Sequence, residues 1–202
     1  EVTVAAGVES KGAKVLGITV LDFEDDGWPD LIVANDTTPS SLFRNRGDGT
    51  FEDVSRSSKI AASIGKGMGV AFGDVDDNGF PDVFVANDSS PNFLFMNQGN
   101  GTFREVALDA GVAYAFHGRA IAGMETDVRD YNNDGRPDIV LSAMYFDEFP
   151  LYRNAKAPHT FADETISSGL ALATRSLTGW GIGLYDFDND RHKDLFLATS
   201  HF

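Results

Sequence analysis

Four short loops in this sequence carry oxygen-bearing side chains at alternating positions, an arrangement that suits a hard cation. The loop at residues 74–82 has such side chains at its positions 1, 3, 5 and 9, and Gly79 at position 6, where a loop that wraps an ion must turn sharply. Ca²⁺ takes about six to eight oxygen ligands at about 2.3–2.6 Å. We therefore predict a calcium site, to which position 7 contributes only its backbone carbonyl.

The same loop recurs at residues 22–30, 130–138 and 186–194, so that successive loops begin 52, 56 and 56 residues apart. One such loop is also typical of a solvated acidic turn, but four in register favour ion sites and up to four Ca²⁺ ions. In the fourth loop Arg191 replaces the glycine, which predicts a strained turn or a looser site. The predicted side-chain ligands are Asp22, Glu24, Asp26 and Asp30; Asp74, Asp76, Asn78 and Asp82; Asp130, Asn132, Asp134 and Asp138; and Asp186, Asp188, Asp190 and Asp194. The predicted carbonyl ligands belong to Trp28, Phe80, Arg136 and His192.

The charge of the chain excludes several classes of partner. Asp and Glu number 31 against 16 Lys and Arg, which gives a formal net charge of −15. Nucleic acid and anionic membrane surfaces are therefore not expected, because phosphate binding needs basic patches. No stretch has the length of a transmembrane helix, so membrane insertion is not expected either. The hydrophobic content of 42% predicts a packed core.

The location of the protein follows from the kind of ion site. Open-loop calcium sites of low affinity fill at the calcium concentrations found outside cells, not at cytosolic ones. We therefore expect a secreted or cell-surface protein, with the bacterial periplasm as the alternative. The chain contains no cysteine, which removes disulfide and thiolate chemistry but does not decide the compartment. No leader is visible after Glu1, as expected for a processed or an excerpted sequence.

Short β-rich segments repeat together with the loops. A glycine-rich apolar run precedes each loop, a second β-rich run follows it, and two more strands complete each of the first three units. Short strands, frequent turns and few helical stretches favour an all-β fold, and a period above 50 residues with four strands favours the blade of a β-propeller. The predicted strands are 17–21, 31–34, 41–45 and 51–55; 67–73, 83–86, 92–97 and 103–107; 123–129, 139–142, 151–154 and 161–165; and 179–185 and 195–198.

We predict a single propeller segment of about 3.75 blades, with units at about 9–56, 57–108, 109–166 and 167–202. Residues 1–8 match residues 105–112, so we expect them to form the outer strand of a preceding blade. Propellers usually have about four to eight blades. The chain is then either an excerpt of a larger ring, which we favour, or one of several copies that associate to complete one.

These features together resemble the FG-GAP/VCBS repeat family, which includes the calcium-binding blades of integrin α-subunit propellers. The segment LFRNRGDGTF at 42–51 and the run GMG at 67–69 are most similar to bacterial relatives of cartilage acidic protein. Those relatives often carry an ASPIC/UnbV segment, which is not seen here. The resemblance implies a secreted propeller of seven or eight blades with calcium between the first two strands of each blade. Glu24, Glu125 and Arg191 depart from the family pattern.

Three functions remain open at this point. The first is a structural or adhesive binding module, without chemistry of its own, that presents loops to a protein or glycan. The second is part of a calcium-dependent polysaccharide lyase, but we see no extra catalytic cluster and expect no enzyme. The third is a self-assembling surface or filament component. The aromatic-rich loops at 113–119 and 143–150 are expected on the face opposite the ion loops, where they either contact a ligand or pack between blades.

Overall fold

The computed structural model describes residues 3–9, 12–155 and 160–200. Its strands are short and follow one another as antiparallel neighbours, and helices contribute only single turns. None of the described helices has the length and apolarity needed to cross a bilayer. The elements are α1 (Thr3–Ala6), β1 (Val15–Leu21), β2 (Asp30–Pro39), β3 (Ser41–Asn45), β4 (Phe51–Asp53), a 3₁₀ turn (Ile60–Ala62), β5 (Ile64–Gly73), β6 (Asp82–Asn87), β7 (Phe93–Asn97), β8 (Phe103–Glu105), α2 (Ala107–Ala110), β9 (Gly123–Arg129), β10 (Asp138–Ala143), β11 (Leu151–Asn154), β12 (Phe161–Asp163), α3 (Leu170–Thr174), β13 (Thr178–Tyr185) and β14 (Asp194–Ser200).

The strands group into blades, as the sequence predicts. Strands β1–β4, β5–β8 and β9–β12 each form a four-stranded antiparallel meander, and β13 pairs with β14 as the first two strands of a fourth unit. Each predicted ion loop connects the first strand of a unit to its second. The predicted all-β propeller architecture is confirmed, while the unit boundaries and the total number of blades stay predictions.

The first strands of consecutive blades approach each other closely, which explains their glycines. A Cβ atom added to Gly17 would lie 2.6 Å from the backbone oxygen of Met68, and one added to Gly69 would lie 2.6 Å from Cα of Glu125. Each first strand also carries a β-bulge in its pairing with the second strand. Bulges increase the local twist of a sheet. These features allow the first strands to converge.

The hydrophobic core lies between the faces of consecutive blades. One cluster joins the second blade to the third and contains Phe84, Ile139 and Tyr152, each no more than 1% exposed. A second cluster joins the first blade to the second through residues such as Ile32 and Phe95. Because each blade buries its apolar side chains against its neighbour, the fold is held together by contacts between blades as well as within them.

The strand predicted at residues 1–8 is wrong for the residues that the structure describes there; residues 1 and 2 lie outside them. Thr3–Ala6 forms the helical turn α1, not an outer strand. The match to residues 105–112 remains informative, because the corresponding Ala107–Ala110 is the helical turn α2. Both turns are followed by a glycine with a left-handed backbone, Gly7 with φ of 78° and Gly111 with φ of 81°. Such glycines commonly end helices, and the strand prediction did not take them into account.

The outer strands are also shorter than predicted, and the side chains at their ends explain why. The carboxylate of Asp53 accepts a hydrogen bond from the N–H of Ser55 (3.0 Å), and that of Asp163 accepts one from Thr165 (2.9 Å). This bond to the residue two positions later turns the chain out of the sheet. Strands β4 and β12 therefore end after three residues.

Candidate metal centres

Each predicted ion loop is closed by its own first aspartate. In the second loop Asp74 Oδ1 accepts a hydrogen bond from the N–H of Asn78 (3.1 Å) and Oδ2 accepts one from Gly79 (2.8 Å). The equivalent pairs measure 3.1 and 2.7 Å for Asp22, 3.1 and 2.8 Å for Asp130, and 3.0 and 2.9 Å for Asp186. All four loops therefore adopt the same closed turn, which the recurring spacing predicts.

The turn needs two left-handed residues, at loop positions 4 and 6. In the second loop these are Asp77 with φ of 60° and Gly79 with φ of 88°. Asp and Asn are the side chains that tolerate this conformation best, and they occupy position 4 in every loop. At position 6 of the fourth loop, Arg191 adopts φ of 76° in place of glycine. The loop thus keeps its shape at the expense of a disfavoured backbone conformation.

The last aspartate of each complete unit lies in the protein interior and joins the loop to the third strand. Asp82 is 1% exposed. Its Oδ2 accepts a hydrogen bond from the N–H of Val75 (2.9 Å), and its Oδ1 accepts one from the N–H of Asn97 in β7 (2.8 Å). Asp30 and Asp138 repeat both contacts. These carboxylates are therefore fixed in place by the backbone.

Burial raises the pKa of these same aspartates. Burial raises the pKa of Asp82 to about 7, although its two backbone hydrogen bonds act in the opposite direction, and the nearby Asp76 and Asp74 carboxylates raise the pKa further. The pKa of Asp138 is raised to about 6 for the same main reason. A divalent cation at such a site would favour the charged carboxylates, because opposite charge offsets both desolvation and mutual repulsion.

Two of the four loops gather three carboxylates at distances that fit a metal ion. In the second loop, ligand oxygens of Asp74, Asp76 and Asp82 all lie within 4.8 Å of one another. The fourth loop does the same with Asp186, Asp188 and Asp194. All of these donors are carboxylate oxygens, the ligand type that Ca²⁺ prefers. The donor sets therefore fit a calcium ion, and Asn78 and Asp190 lie in the same turns.

The first and third loops do not form such a group among the described residues. In the first loop, Glu24 Oε1 lies 3.8 Å from Nε of Arg44. In the third, Arg136 Nη2 donates to Asp134 Oδ2. Cationic side chains thus lie beside two of the predicted ligands. Ion binding stays a prediction for all four loops.

In the first two loops, the residue at position 7 has a packing role that the sequence did not indicate. A Cβ atom added to Gly47 would lie 2.6 Å from the ring of Trp28, and one added to Gly99 would lie 2.8 Å from the ring of Phe80. These aromatic rings therefore cover the hairpin turns between the third and fourth strands. The carbonyl roles predicted for Trp28, Phe80, Arg136 and His192 remain untested predictions.

Sequence reasoning missed the asparagine that ends each third strand. Asn45, Asn97 and Asn154 donate through their backbone N–H to the last aspartate of the ion loop in their own blade. Their side-chain amides also donate to the carbonyl of Pro29, Pro81 and Pro137 respectively. The sequence does contain a signal for this role, because an asparagine recurs at the same place in each of these units.

The two aromatic-rich loops of the third unit contact each other through ion pairs. His117 Nε2 lies 3.0 Å from Glu148 Oε1, and Arg119 Nη2 lies 3.0 Å from Asp147 Oδ1. Phe146 is 73% exposed, whereas Phe149 is fully buried. Phe146, Asp147 and Glu148 line a cavity of about 370 Å³ together with Ala171, Leu172 and Arg175 of the α3 segment. Phe149 therefore packs in the interior, whereas ligand contact by the exposed Phe146 stays a prediction.

Comparison with known sequences identifies the repeat. A family model described as FG-GAP-like repeat matches residues 22–85, 74–141 and 130–197. Mouse cartilage acidic protein 1 is 32% identical over 181 residues, which cover 85% of this chain and 25% of that protein. The human protein is 29% identical over 202 residues, covering 95% of this chain and 28% of its own length. The chain thus spans about a quarter of the relatives that it matches.

Solved structures with the same fold are more distant. BBS1N, in its complex with ARL6DN, superposes with a TM-score of 0.55 at 12% identity, over 96% of this chain and 52% of that one. A rhamnogalacturonan lyase from Bacillus licheniformis superposes with a TM-score of 0.52 at 14% identity, over 91% of this chain and 40% of the lyase. At these identities the likeness concerns the fold alone.

Proposed function

Because this chain belongs to the FG-GAP-like repeat family, we propose that it is a calcium-binding propeller segment that acts outside the cell as a structural or adhesive binding module. The observation that carries the proposal is the group formed by Asp74, Asp76 and Asp82, whose oxygens lie within 4.8 Å of one another in a closed turn. The net charge of −15 supports it, because bound cations would offset much of that charge. The name of the cartilage relatives is compatible with an extracellular location.

The role proposed for calcium is structural. A bound ion would neutralise the crowded carboxylates at the joint between the first and second strands of a blade. Asp82 also holds the third strand through Asn97, so an ordered loop fixes three of the four strands of its blade. Four similar loops are better explained as parts of a scaffold than as four separate binding sites for other ligands.

We propose binding rather than catalysis for this segment. A lyase would need a Lys, Arg or His that is free to act beside an open calcium ion. In the first and third loops, the nearby arginines are instead paired with carboxylates, Arg44 with Glu52 and Glu24, and Arg136 with Asp134. The paired loops of the third unit are the surface that we propose for a protein or glycan ligand.

We also propose that other blades, or a second copy of the chain, cover the apolar side chains of β1. Ile18 and Val20 in that strand are 60% and 52% exposed. Isolated exposed apolar residues are ordinary, but a row of them along one strand is typical of a surface that packs against another element.

The experiment that tests the proposed function is thermal unfolding of the 202-residue chain in EDTA and in millimolar CaCl₂. A site filled to about 10–100 times its Kd stabilises the folded state by about 1.4–2.7 kcal/mol. For a chain of this size we expect the Tm to rise by about 3–10 °C per filled site. Asp76→Asn should reduce this calcium response, whereas Asp109→Asn, at an exposed position in α2, should preserve it. A Tm that is the same with and without calcium would contradict the proposal.

A further inference from the structure

The asparagine at the end of the third strand contacts two consecutive ion loops. Within its own blade, the backbone N–H of Asn97 donates to Asp82 Oδ1 (2.8 Å). Its side-chain Nδ2 donates across the blade boundary to the carbonyl oxygen of Phe23 (2.8 Å), 74 residues earlier in the chain. Phe23 is the second residue of the first ion loop. Asn97 is fully buried, so water does not compete with either bond.

The next blade boundary repeats this arrangement. Asn154 donates through its backbone N–H to Asp138 Oδ1 (2.8 Å) and through Nδ2 to the carbonyl oxygen of Val75 (2.8 Å), 79 residues earlier. Val75 is the second residue of the second ion loop, and its own N–H donates to Asp82 Oδ2 (2.9 Å). The same pair of contacts therefore occurs at two successive boundaries.

These bonds form one continuous chain through three ion loops. Phe23 donates its N–H to Asp30 Oδ2 (3.2 Å), and its carbonyl accepts from Asn97. The backbone N–H of Asn97 donates to Asp82, which also accepts from the N–H of Val75. The carbonyl of Val75 in turn accepts from Asn154. Every link is a hydrogen bond of 2.8–3.2 Å that involves a predicted ligand, its loop backbone or the bridging asparagine.

We propose that Asn97 and Asn154 are positioning residues for two loops at once, and that they couple ion binding in neighbouring blades. The inference rests on the proposed calcium binding. An ion that orders the loop around Asp82 also fixes Asn97, which restrains the Phe23 carbonyl and thereby the loop that ends at Asp30. The second ion then binds a loop that is already partly ordered, and binding that meets a pre-ordered site loses less conformational entropy.

The chain offers a matched control for this coupling. Asn45 makes the same contacts within its blade, to Asp30 Oδ1 (2.7 Å) and to the carbonyl of Pro29 (3.0 Å). The amide of Gly47 donates to its side chain, just as that of Gly99 donates to Asn97. Asn45 has no ion loop before it among the described residues. Comparing Asn45→Ala with Asn97→Ala therefore isolates the bond between blades.

Terbium luminescence can report on the first loop alone. The chain has two tryptophans, and Trp28 lies within the first loop, whereas Tyr131 and Tyr185 lie in or beside later loops. A Trp180→Phe background, excited at the red edge where tryptophan absorbs and tyrosine does not, leaves Trp28 as the only sensitiser of Tb³⁺. We expect Asp76→Asn, which disables the second loop, to weaken Tb³⁺ binding at the first loop by about 5-fold or more. In Asn97→Ala, Asp76→Asn should no longer change that affinity. In Asn45→Ala, the 5-fold effect of Asp76→Asn should persist.

The outcomes separate this inference from the proposed function. Two results would overturn the inference while leaving calcium binding intact. Either Asp76→Asn does not change the Tb³⁺ affinity of the first loop, or it still changes that affinity in Asn97→Ala. The absence of Trp28-sensitised luminescence in the folded parent chain would overturn the inference, whereas the proposed function fails only if calcium leaves the Tm unchanged. Far-ultraviolet circular dichroism of each variant verifies that the blades are folded, because a purely structural loss would lower the folded fraction without removing the dependence on Asp76.

Discussion

Arg191 shows how a single residue can disturb a repeated turn without abolishing it. It has φ of 76°, where the other loops have glycines with φ of 86–88°. The left-handed conformation costs a non-glycine residue about 1–2 kcal/mol, whereas a new glycine loses about 0.4–1 kcal/mol through the entropy of the unfolded chain. The difference favours Arg191→Gly, which we expect to raise the free energy of unfolding by about 0.5–1 kcal/mol. Denaturant titration in EDTA measures this change.

The reciprocal change is the control for Arg191. Gly135 holds the same position in the third loop with φ of 86°, and a Cβ atom there would meet nothing within 4 Å. Gly135→Arg should therefore destabilise the chain through backbone conformation alone. If Arg191→Gly proves less stable than the parent chain, the strain argument is wrong and the guanidinium has a stabilising contact.

At the residue scale, sequence analysis identified the loops but not everything that holds them. The alternation of oxygen side chains was enough to predict the closed turn, because the turn is local and recurs four times. The role of Asn97 was missed because its partner Phe23 is 74 residues away. The ion pair between Glu24 and Arg44 was missed for a similar reason, since it depends on how the third strand lies beside the loop.

At the scale of elements, the first strands of the blades are held at a distance that only glycine permits. A Cβ atom at Gly69 would approach Cα of Glu125 to 2.6 Å, whereas one at Gly181 would come no closer than 3.4 Å to Cβ of Ala198. We expect Gly69→Ala to destabilise the chain by about 1–3 kcal/mol, because β5 must move away from β9. Gly181→Ala should be tolerated. Thermal unfolding in calcium compares the two, and equal Tm values would show that the backbone relaxes freely.

Strand boundaries could be predicted where the features that end a strand lie within the same unit. Strands β3, β9 and β11 have the bounds that the pattern predicts, because turns and ion loops within one unit define their ends. Strand β2 continues to Pro39 and β5 begins at Ile64, beyond the predicted limits, because these extensions pair with each other across the blade boundary. The sequence pattern of one repeat does not indicate pairing with a strand of the neighbouring blade.

At the scale of the whole molecule, the ion loops and the irregular loops of the third unit lie at opposite ends of the strands. The ion loops join first strands to second strands, so the connection between β10 and β11 must emerge on the other face. There Phe146 is 73% exposed and has φ of 73°, a disfavoured conformation for an aromatic residue. Strain of this kind concentrates at functional sites.

Of the two ligand classes proposed for the loops around Phe146, we expect a sugar rather than a folded protein. The cavity of about 370 Å³ lies within the size range of small-ligand sites, whereas a stable protein interface buries about 800 Å² on each partner. Asp147 and Glu148 are held by Arg119 and His117, so their oxygens are pre-positioned for hydroxyl groups. Arg175, on the α3 side of the cavity, and Arg119 together balance the charges of Asp147 and Glu148, which favours a neutral sugar.

We therefore expect neutral methyl glycosides to give saturation-transfer NMR signals with the calcium-loaded chain. Phe146→Ala should weaken binding by about 10-fold, because the ring offers apolar surface to the sugar, and burying about 55 Å² of it at about 25 cal/mol per Å² contributes about 1.4 kcal/mol. Phe146→Tyr should preserve binding, and Phe196→Ala, which removes a 54% exposed ring from β14, should leave it unchanged. A signal that persists in Phe146→Ala, or a preference for glucuronides or for peptides over neutral glycosides, would exclude this cavity as a site for neutral sugars.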